Sequence, residues 1–330
     1  MKIIRKQLIG CYPRHSTDPK LPLSVVPDWV CWLMSSSAKI PSMQGHAGRL
    51  VFGELKGKTC VCMQGRFHIY EGHSLSKASS FRPTKNFLIA FIPSLTLSCI
   101  TCWVPVLIFL FNGSILHFRP GEKQEPKSYS VSLSQVTFPV RVFKLLGVET
   151  LIVTNAAGYL ADSYHCGDIM IIRDHINIPG LAGLNPLNGP NDEKFGPRFP
   201  SMSGAYDKDL RNLAFDICKN MGMLQFVQEG VYCMVGGPNF ESIAEARLLH
   251  RLGADAVGMS TAPEVVVAKH CDMRVFGLSL ITNKIARSYG DSSAVNHQSV
   301  LEVSEKRAAV LQELVTELVN HMDVNNNTAM

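Results

Sequence analysis

From residue 136 to residue 330 the chain alternates two hydrophobic periods, and this alternation limits its fold more than any other feature. Apolar runs of strand length occur at Val148–Thr154, Asp168–Arg173, Ala256–Gly258 and Arg274–Ile281. Between them, one-sided apolar stripes at helical spacing predict helices over Asp207–Met221, Glu241–Leu252 and Val300–His321. In the last of these, Val300, Val303, Val310, Leu311, Leu314, Val315 and Leu318 share one face. Strands that alternate with helices bury both kinds of apolar face by laying helices on a sheet, which predicts an α/β fold with a central twisted β-sheet flanked by helices. Upstream, Arg49–Leu55 and Thr59–Gln64 read as two strands about a Lys56-Gly57-Lys58 turn. Residues 1–40 mix Pro, Ser, Cys and Trp without a period, so they are set apart from a domain spanning 41–330.

An apolar insertion at about 78–135 interrupts that domain. Phe87–Phe111 contains no charged side chain and is long enough, at about 1.5 Å per residue, to cross a bilayer as a helix. Pro93 and Pro105 break it. A single crossing would also strand Arg66 and His68 on the opposite side of the membrane from Asn155, Glu241 and Asn283. The run is too short to cross twice. It is therefore read as an insertion into a soluble domain, and a membrane anchor is the disfavoured alternative.

The 330 residues suffice for one large α/β core, and 18% charged residues with a formal charge of +5 leave no basic stripe of the kind nucleic acid requires. Ten cysteines follow no disulfide framework, and the one CxxC, Cys99-Ile100-Thr101-Cys102, lies in the apolar run without a second pair, so no metal site is expected. The cysteines read as reduced, buried small hydrophobes of a cytoplasmic protein. Met1-Lys2-Ile3-Ile4-Arg5-Lys6 is basic but lacks the apolar stretch of a secretory signal.

Several clusters bear chemistry. Glu241, in Gly236-Gly237-Pro238-Asn239-Phe240-Glu241-Ser242, and Asn283, in Leu280-Ile281-Thr282-Asn283-Lys284, each stand where a predicted strand meets a loop. A carboxylate that accepts from a ring N–H and an amide that serves O6 and N7 can together read a purine edge. The bland alternative for Glu241 is a first-turn helix acid. Arg66 and His68 alternate along Gln64-Gly65-Arg66-Phe67-His68-Ile69-Tyr70 and can face one side, where the guanidinium fork suits phosphate. A surface Arg beside a satisfied His is the competing reading. Asn155-Ala156-Ala157-Gly158 follows a strand and is expected to make a tight turn with exposed N–H groups, an anion nest. Ser260, in Gly258-Met259-Ser260-Thr261, offers a hydroxyl or a helix cap.

These strings, over 41–77 and 136–320, resemble the trimeric, inosine/guanosine-type purine nucleoside phosphorylases. The resemblance implies a single-domain α/β fold with a central twisted mixed β-sheet flanked by helices. It implies phosphorolysis of inosine or guanosine, and their deoxy forms, to free base and (deoxy)ribose 1-phosphate in purine salvage. Inorganic phosphate is then a co-substrate, and no metal or other cofactor is needed. It assigns Arg66, His68, Ala156, Ser260 and His46 to phosphate. Tyr70, Met259 and His297 go to the ribose, and Phe240, Glu241, Asn283 and Tyr232 to the base. Phe199 would reach a neighbouring subunit's site in a homotrimer. Asn283, Glu241 and His68 carry the catalytic roles. Asn283 rather than the Asp of the related methylthioadenosine phosphorylases, together with Glu241, favours 6-oxopurines, because adenine lacks the N1–H that Glu241 would bind.

The chain departs from that pattern in three places. Nothing in residues 1–40 matches the family's opening strand and Gly-Ser-Gly-Leu-Gly-Gly-like phosphate loop, so a central strand is expected to be missing. Tyr159 stands where glycine freedom is expected and should distort the nest. The insertion separates Arg66 and His68 from the remaining motifs. The alternative they leave open is a catalytically impaired homologue that binds purine or assembles with active subunits.

Overall fold

The computed structural model describes residues 49–71, 106–111, 136–291 and 297–323. Its strands are β1 (Arg49–Leu55), β2 (Lys58–Gln64), β3 (Val106–Phe111), β4 (Val148–Tyr159), β5 (Ile169–Asn177), β6 (Val227–Met234), β7 (Ala256–Gly258) and β8 (Arg274–Lys284). Its helices are α1 (Phe138–Leu145), the single turn α2 (Ile178–Leu181), α3 (Lys208–Asn220), α4 (Ile243–Arg251), α5 (Ala262–His270) and α6 (His297–His321). Among the described residues the strands form one mixed sheet in the order β1-β2-β3-β4-β7-β6-β5-β8, and β8 pairs back onto β4. The expected α/β class and mixed sheet are present, with the added feature that β4, β7, β6, β5 and β8 close a ring.

Side chains of successive strand residues enter opposite layers, as the period of two requires. Leu151, Val153, Met170, Ile172 and Val275 join Val140, Phe143, Val265 and Val267 of α1 and α5. Their neighbours Ile152, Ile169, Ile171, Phe276 and Leu278 join Leu210 and Ile217 of α3 and Leu311, Leu314, Val315 and Leu318 of α6. The stripe read from the sequence is thus the docking face of α6, and each fully buried Leu or Val there contributes about 1.5–3 kcal/mol. Lys58 holds the far end of that helix, its Nζ donating to the carbonyls of Val319, Asn320 and Met322 at 2.5, 2.9 and 2.6 Å.

The structure corrects several expectations. Strands β4, β5 and β8 run past the predicted ends, while β6, α1 and α5 were not foreseen. α1 is only eight residues long, and the buried face of α5 includes almost every residue, so α5 shows no helical period. The apolar run Phe87–Phe111 ends in a core strand: β3 lies between β2 and β4, antiparallel to both, with Leu107 opposite Met63 and Val153. An interior place in the sheet is thus filled by residues of the expected insertion, while the opening residues 1–48 lie outside the described ones. No helix among the described residues is long and apolar enough to cross a membrane. The CxxC at Cys99 and Cys102 lies outside the described residues. Of the described free cysteines, Cys60, Cys62, Cys218, Cys233 and Cys271 are buried as expected, whereas Cys166 is exposed.

The ring leaves one opening. Strand β4 is paired along one edge with β8 from Thr150 to Tyr159. Along its other edge it meets β3 up to Val153 and β7 only at Gly158 and Tyr159. From Asn155 to Ala157 no strand among the described residues pairs with that second edge, and the polar site forms there.

Candidate active site

Arg66 follows the end of β2 and reaches into this opening with its side chain 1% exposed. A buried guanidinium must have acceptors, and four are in place. Nη1 shares its two protons among three acceptors, the Thr154 carbonyl at 3.0 Å, Ser260 Oγ at 2.8 Å and Thr261 Oγ1 at 3.2 Å, while Nε donates to Glu264 Oε1 at 3.0 Å. N–H and C=O of one strand residue point to the same edge, and residues two apart repeat that direction. Ala156 therefore aims its N–H along the edge where the Thr154 carbonyl meets Arg66. Arg66 and Ser260 thus meet, and Ala156 lies two residues along β4 from the carbonyl that Arg66 engages.

The route to that arrangement differs from the expected nest. Asn155-Ala156-Ala157-Gly158 is not a turn but the continuing strand β4, opposite Ser279, Leu280, Ile281 and Asn283 of β8. Ala156 presents its N–H because no described strand pairs with that edge, not because the chain turns. Tyr159, expected to disturb a glycine turn, is simply the last residue of β4, pairing with Ala256 and packing against the core. No positive φ is required there.

His68 lies on the 3-10 turn side of the same segment. Its backbone N–H and ring Nδ1 both contact Glu71 Oε1 at 3.0 Å, and its ring stacks on Tyr70 with centroids 4.6 Å apart. Burial lowers the His68 pKa, with the Glu71 hydrogen bond opposing. Burial also pushes the Tyr70 phenol up to about 12, so it stays protonated and can donate. Tyr70 and Met259 meet over Gly237, which has φ of +64°. A Cβ at Gly237 would sit 2.4 Å from Met259 Sδ and 3.0 Å from Tyr70 Cδ1. Only glycine allows both the conformation and the approach, and so brings the two predicted ribose residues to one place.

On the base side, Glu241 is half-buried, and burial raises its pKa. It precedes α4 instead of lying in its first turn, because Ser242 is the N-cap and forms a capping box with Glu245. Phe240 is 44% exposed and available for stacking. Asn283, near the end of β8, is held by its neighbours: Oδ1 accepts from Thr282 Oγ1 at 3.0 Å and Nδ2 donates to the Lys284 carbonyl at 3.4 Å. Gly158 lies opposite it, where a Cβ would come within 2.7 Å of Asn283 Nδ2. Among the described residues no hydrogen bond joins Glu241 to Asn283.

Tyr232 differs from its expected role. It is wholly buried, and its hydroxyl accepts the Ser260 N–H at 3.3 Å, so it supports the Ser260 loop from below instead of lining a pocket. Phe199 is 88% exposed on the irregular stretch before α3. His46, and the side chain of His297 at the start of α6, lie outside the described residues. No group of three or more His, Cys, Asp or Glu among the described residues could hold a metal ion.

Sequence reasoning missed Glu264, Thr261 and Asn155. Asn155 Nδ2 donates to Thr261 Oγ1 at 2.9 Å. Thr261 is the N-cap of α5 with φ of +76°, an unfavourable conformation for a β-branched residue, and its side chain makes no cap hydrogen bond. A Thr with Glu three residues on is the sequence form of a capping box. The box formed by Ser242 and Glu245 in α4 is not formed here. Both members turn to Arg66 instead. That signal, an N-cap and an acid before a helix, was legible, but its diversion to Arg66 was not.

Residues 130–320 match the model of the phosphorylase superfamily. The mouse purine nucleoside phosphorylase is 50% identical over 278 residues, 84% of this chain and 76% of the mouse protein. The bovine one is 47% identical over 287 residues, 87% of this chain and 79% of the bovine protein. This chain belongs to the purine nucleoside phosphorylase family. The structure of the Schistosoma mansoni purine nucleoside phosphorylase in complex with inosine superposes with a TM-score of 0.67 at 37% identity, covering 86% of this chain and 80% of that one. A schistosoma purine nucleoside phosphorylase in complex with hypoxanthine matches equally, at 0.67 and 37%, over 87% and 81%. The family's fold accounts for the mixed sheet and its helical layers.

Proposed function

We propose that this family member phosphorolyses 6-oxopurine nucleosides, inosine and guanosine with their deoxy forms, to the free base and (deoxy)ribose 1-phosphate in purine salvage. The observation that carries the proposal is the buried Arg66 held beside Ser260 at an edge of β4 that no described strand covers, the edge along which the Ala156 N–H points. Buried donors converging on one opening suit an oxyanion. No finding favours the reading as an impaired homologue.

In the proposed reaction a phosphate oxygen bonds to C1′ as the C1′–N9 bond breaks, and the electron pair of that bond passes to the purine. Arg66, Ser260, the Ala156 N–H and His68 orient the phosphate, with His46 added from the sequence. Tyr70, Met259 and His297 seat the ribose. Phe240 stacks on the base, Glu241 accepts from N1–H, and Asn283 stabilises N7 as charge or a proton arrives there, which lowers the barrier to departure. Phosphate is a substrate, and no metal or organic cofactor takes part. Phe199, exposed on its strap, completes the site of a neighbouring copy in a homotrimer. The chain acts in the cytoplasm as one domain from about residue 41 onward, interrupted at about 78–135.

The test is phosphate-dependent release of hypoxanthine from inosine by the purified protein, with adenosine as control and Asn283→Ala as the variant. The parent is expected to be inosine-selective, and the variant to lose roughly 10²–10⁴-fold in kcat with its folding intact. Equal turnover by variant and parent would remove the N7 role.

A further inference from the structure

We propose that His270, the last residue of α5, is a positioning residue that clasps the strap carrying Phe199 and so holds that ring ready for the neighbouring copy's nucleoside. The inference rests on the reading of Phe199 as a group that completes a neighbour's site, and it names what holds the ring there. Residues 182–207 join α2 to α3 without a strand or helix. A connection of that length has no ladder of backbone hydrogen bonds to fix it, so its few anchors decide where it lies. Phe199 stands on this stretch with 88% of its surface exposed.

Two residues of the strap, Asn191 and Gly196, meet His270, which is itself 1% exposed. Asn191 Nδ2 donates to the Gly196 carbonyl at 3.0 Å, and Asn191 Oδ1 lies 3.0 Å from His270 Nε2. A carbonyl only accepts, so its contact with Asn191 settles which way that amide points. The amide oxygen then faces Nε2, which must carry the proton between them. On the other side of the ring, Nδ1 faces Arg141 Nη1 of α1 at 3.5 Å. A second proton at Nδ1 would confront that permanent cation in a buried place, so the imidazole is neutral. Burial, and after it the Arg141 charge, lower the His270 pKa, with the Gly196 backbone and Asp192 opposing.

The main chain closes the same contact. A Cβ at Gly196 would lie 1.7 Å from the His270 carbonyl oxygen, so the strap's backbone rests directly on the end of α5. Beside it the ring of Phe195, 5% exposed, stands 5.2 Å from the Arg141 guanidinium. Phe199 follows Gly196 by three residues, at most about 10 Å even when the chain is extended. Pro197 has a fixed φ, and Phe199, because it precedes Pro200, is biased toward extended backbone. Arg198 adds a bond from Nη1 to the Leu187 carbonyl at 2.8 Å. The link is short and stiff, so the place of Gly196 on α5 is passed on to Phe199.

Steady-state kinetics of the full chain with inosine and phosphate test the clasp. Asn191→Ala removes the strap's half of the contact from a half-buried position, so the variant should fold as the parent does. A segment held before the ligand arrives need not be ordered on binding. KM for inosine should therefore rise roughly 5- to 30-fold in Asn191→Ala, while KM for phosphate stays within about twofold. His270→Ala should behave alike, and His270→Gln, whose amide offers an N–H near the place of Nε2, should recover most of the loss. In a Phe199→Ala background, where no ring remains to be held, Asn191→Ala should add less than about twofold. An unchanged KM for inosine in folded Asn191→Ala overturns the inference. So does an equal rise in KM for phosphate, or an equal rise for inosine in the Phe199→Ala background. Those results leave the role of Phe199 standing when Phe199→Ala by itself raises KM for inosine. If Phe199→Ala leaves that KM unchanged, the neighbour-site reading falls and the clasp with it.

Discussion

Replacing Glu264 by Gln isolates the charge of the deepest ion pair in the site. Arg66 and Glu264 are 1% and 2% exposed and meet at 3.0 Å. Gln fills the same volume and keeps an acceptor for Arg66 Nε, so the variant removes little besides the negative charge. At 3 Å and an effective dielectric near 20, the attraction is about 5–6 kcal/mol before desolvation is subtracted. Losing one partner of a buried pair typically costs about 3–5 kcal/mol, because the remaining charge stays buried. Two features place this case at the low end. The Thr154 carbonyl and the Ser260 and Thr261 hydroxyls continue to solvate Arg66. In addition, Glu264 Oε2 is buried without a hydrogen-bond partner in the parent, so the carboxylate itself is imperfectly satisfied. A loss of about 3 kcal/mol is expected, which for a chain of this size lowers Tm by about 4 °C.

Phosphate provides the internal control. A dianion beside Arg66 restores the missing countercharge, so saturating phosphate should raise Tm more in Glu264→Gln than in the parent. Thermal unfolding of both proteins, with and without phosphate, gives all four values. If the variant is as stable as the parent, or if phosphate stabilises both equally, the Arg66 charge is neutralised by some other group and the argument fails.

Two further outcomes follow from the site. Burial lowers the His68 pKa, so the unfolded chain binds a proton more readily than the native one as pH falls below about 6.5. His68 therefore contributes stability that is fully present above that value and is lost as pH falls toward the depressed native pKa; His68→Asn should flatten this part of a pH–stability curve, and an unchanged curve would refute it. Gly158→Ala would place a Cβ 2.7 Å from both Asn283 Nδ2 and Ile285 Cγ1. It should lower kcat on inosine at least tenfold with destabilisation of about 1–3 kcal/mol, read by kinetics and denaturant unfolding, and parental kcat would show that Asn283 tolerates displacement.

Periodicity and turn chemistry carried much of the fold. The apolar stripe of α6 and the runs that became β4, β5, β7 and β8 are local patterns, and burial followed them. Arg66 could be named because a guanidinium fork suits an oxyanion, whereas Ser260 and Ala156 were named from the family resemblance; the structure brings the Ser260 hydroxyl to Arg66. Ala156 lies on a continuing strand and not in the expected turn. An edge that no described strand covers, between β3 and β7, is a property of sheet topology, which no local window of sequence contains. The same holds for β3: its apolar run is equally compatible with a membrane helix and a core strand until its neighbours β2 and β4 exist.

The clearest division lies between two helix starts. Ser242 with Glu245, and Thr261 with Glu264, are the same local signature. The sequence determined that each precedes a helix, because both supply an N-cap oxygen and an N3 acid. In α4 the pair closes on its own backbone as a capping box. In α5 it turns to a guanidinium 195 and 198 residues away in the chain. Only the tertiary structure decided this, since burying Arg66 creates a demand for acceptors that outweighs the free N–H groups of one helix end.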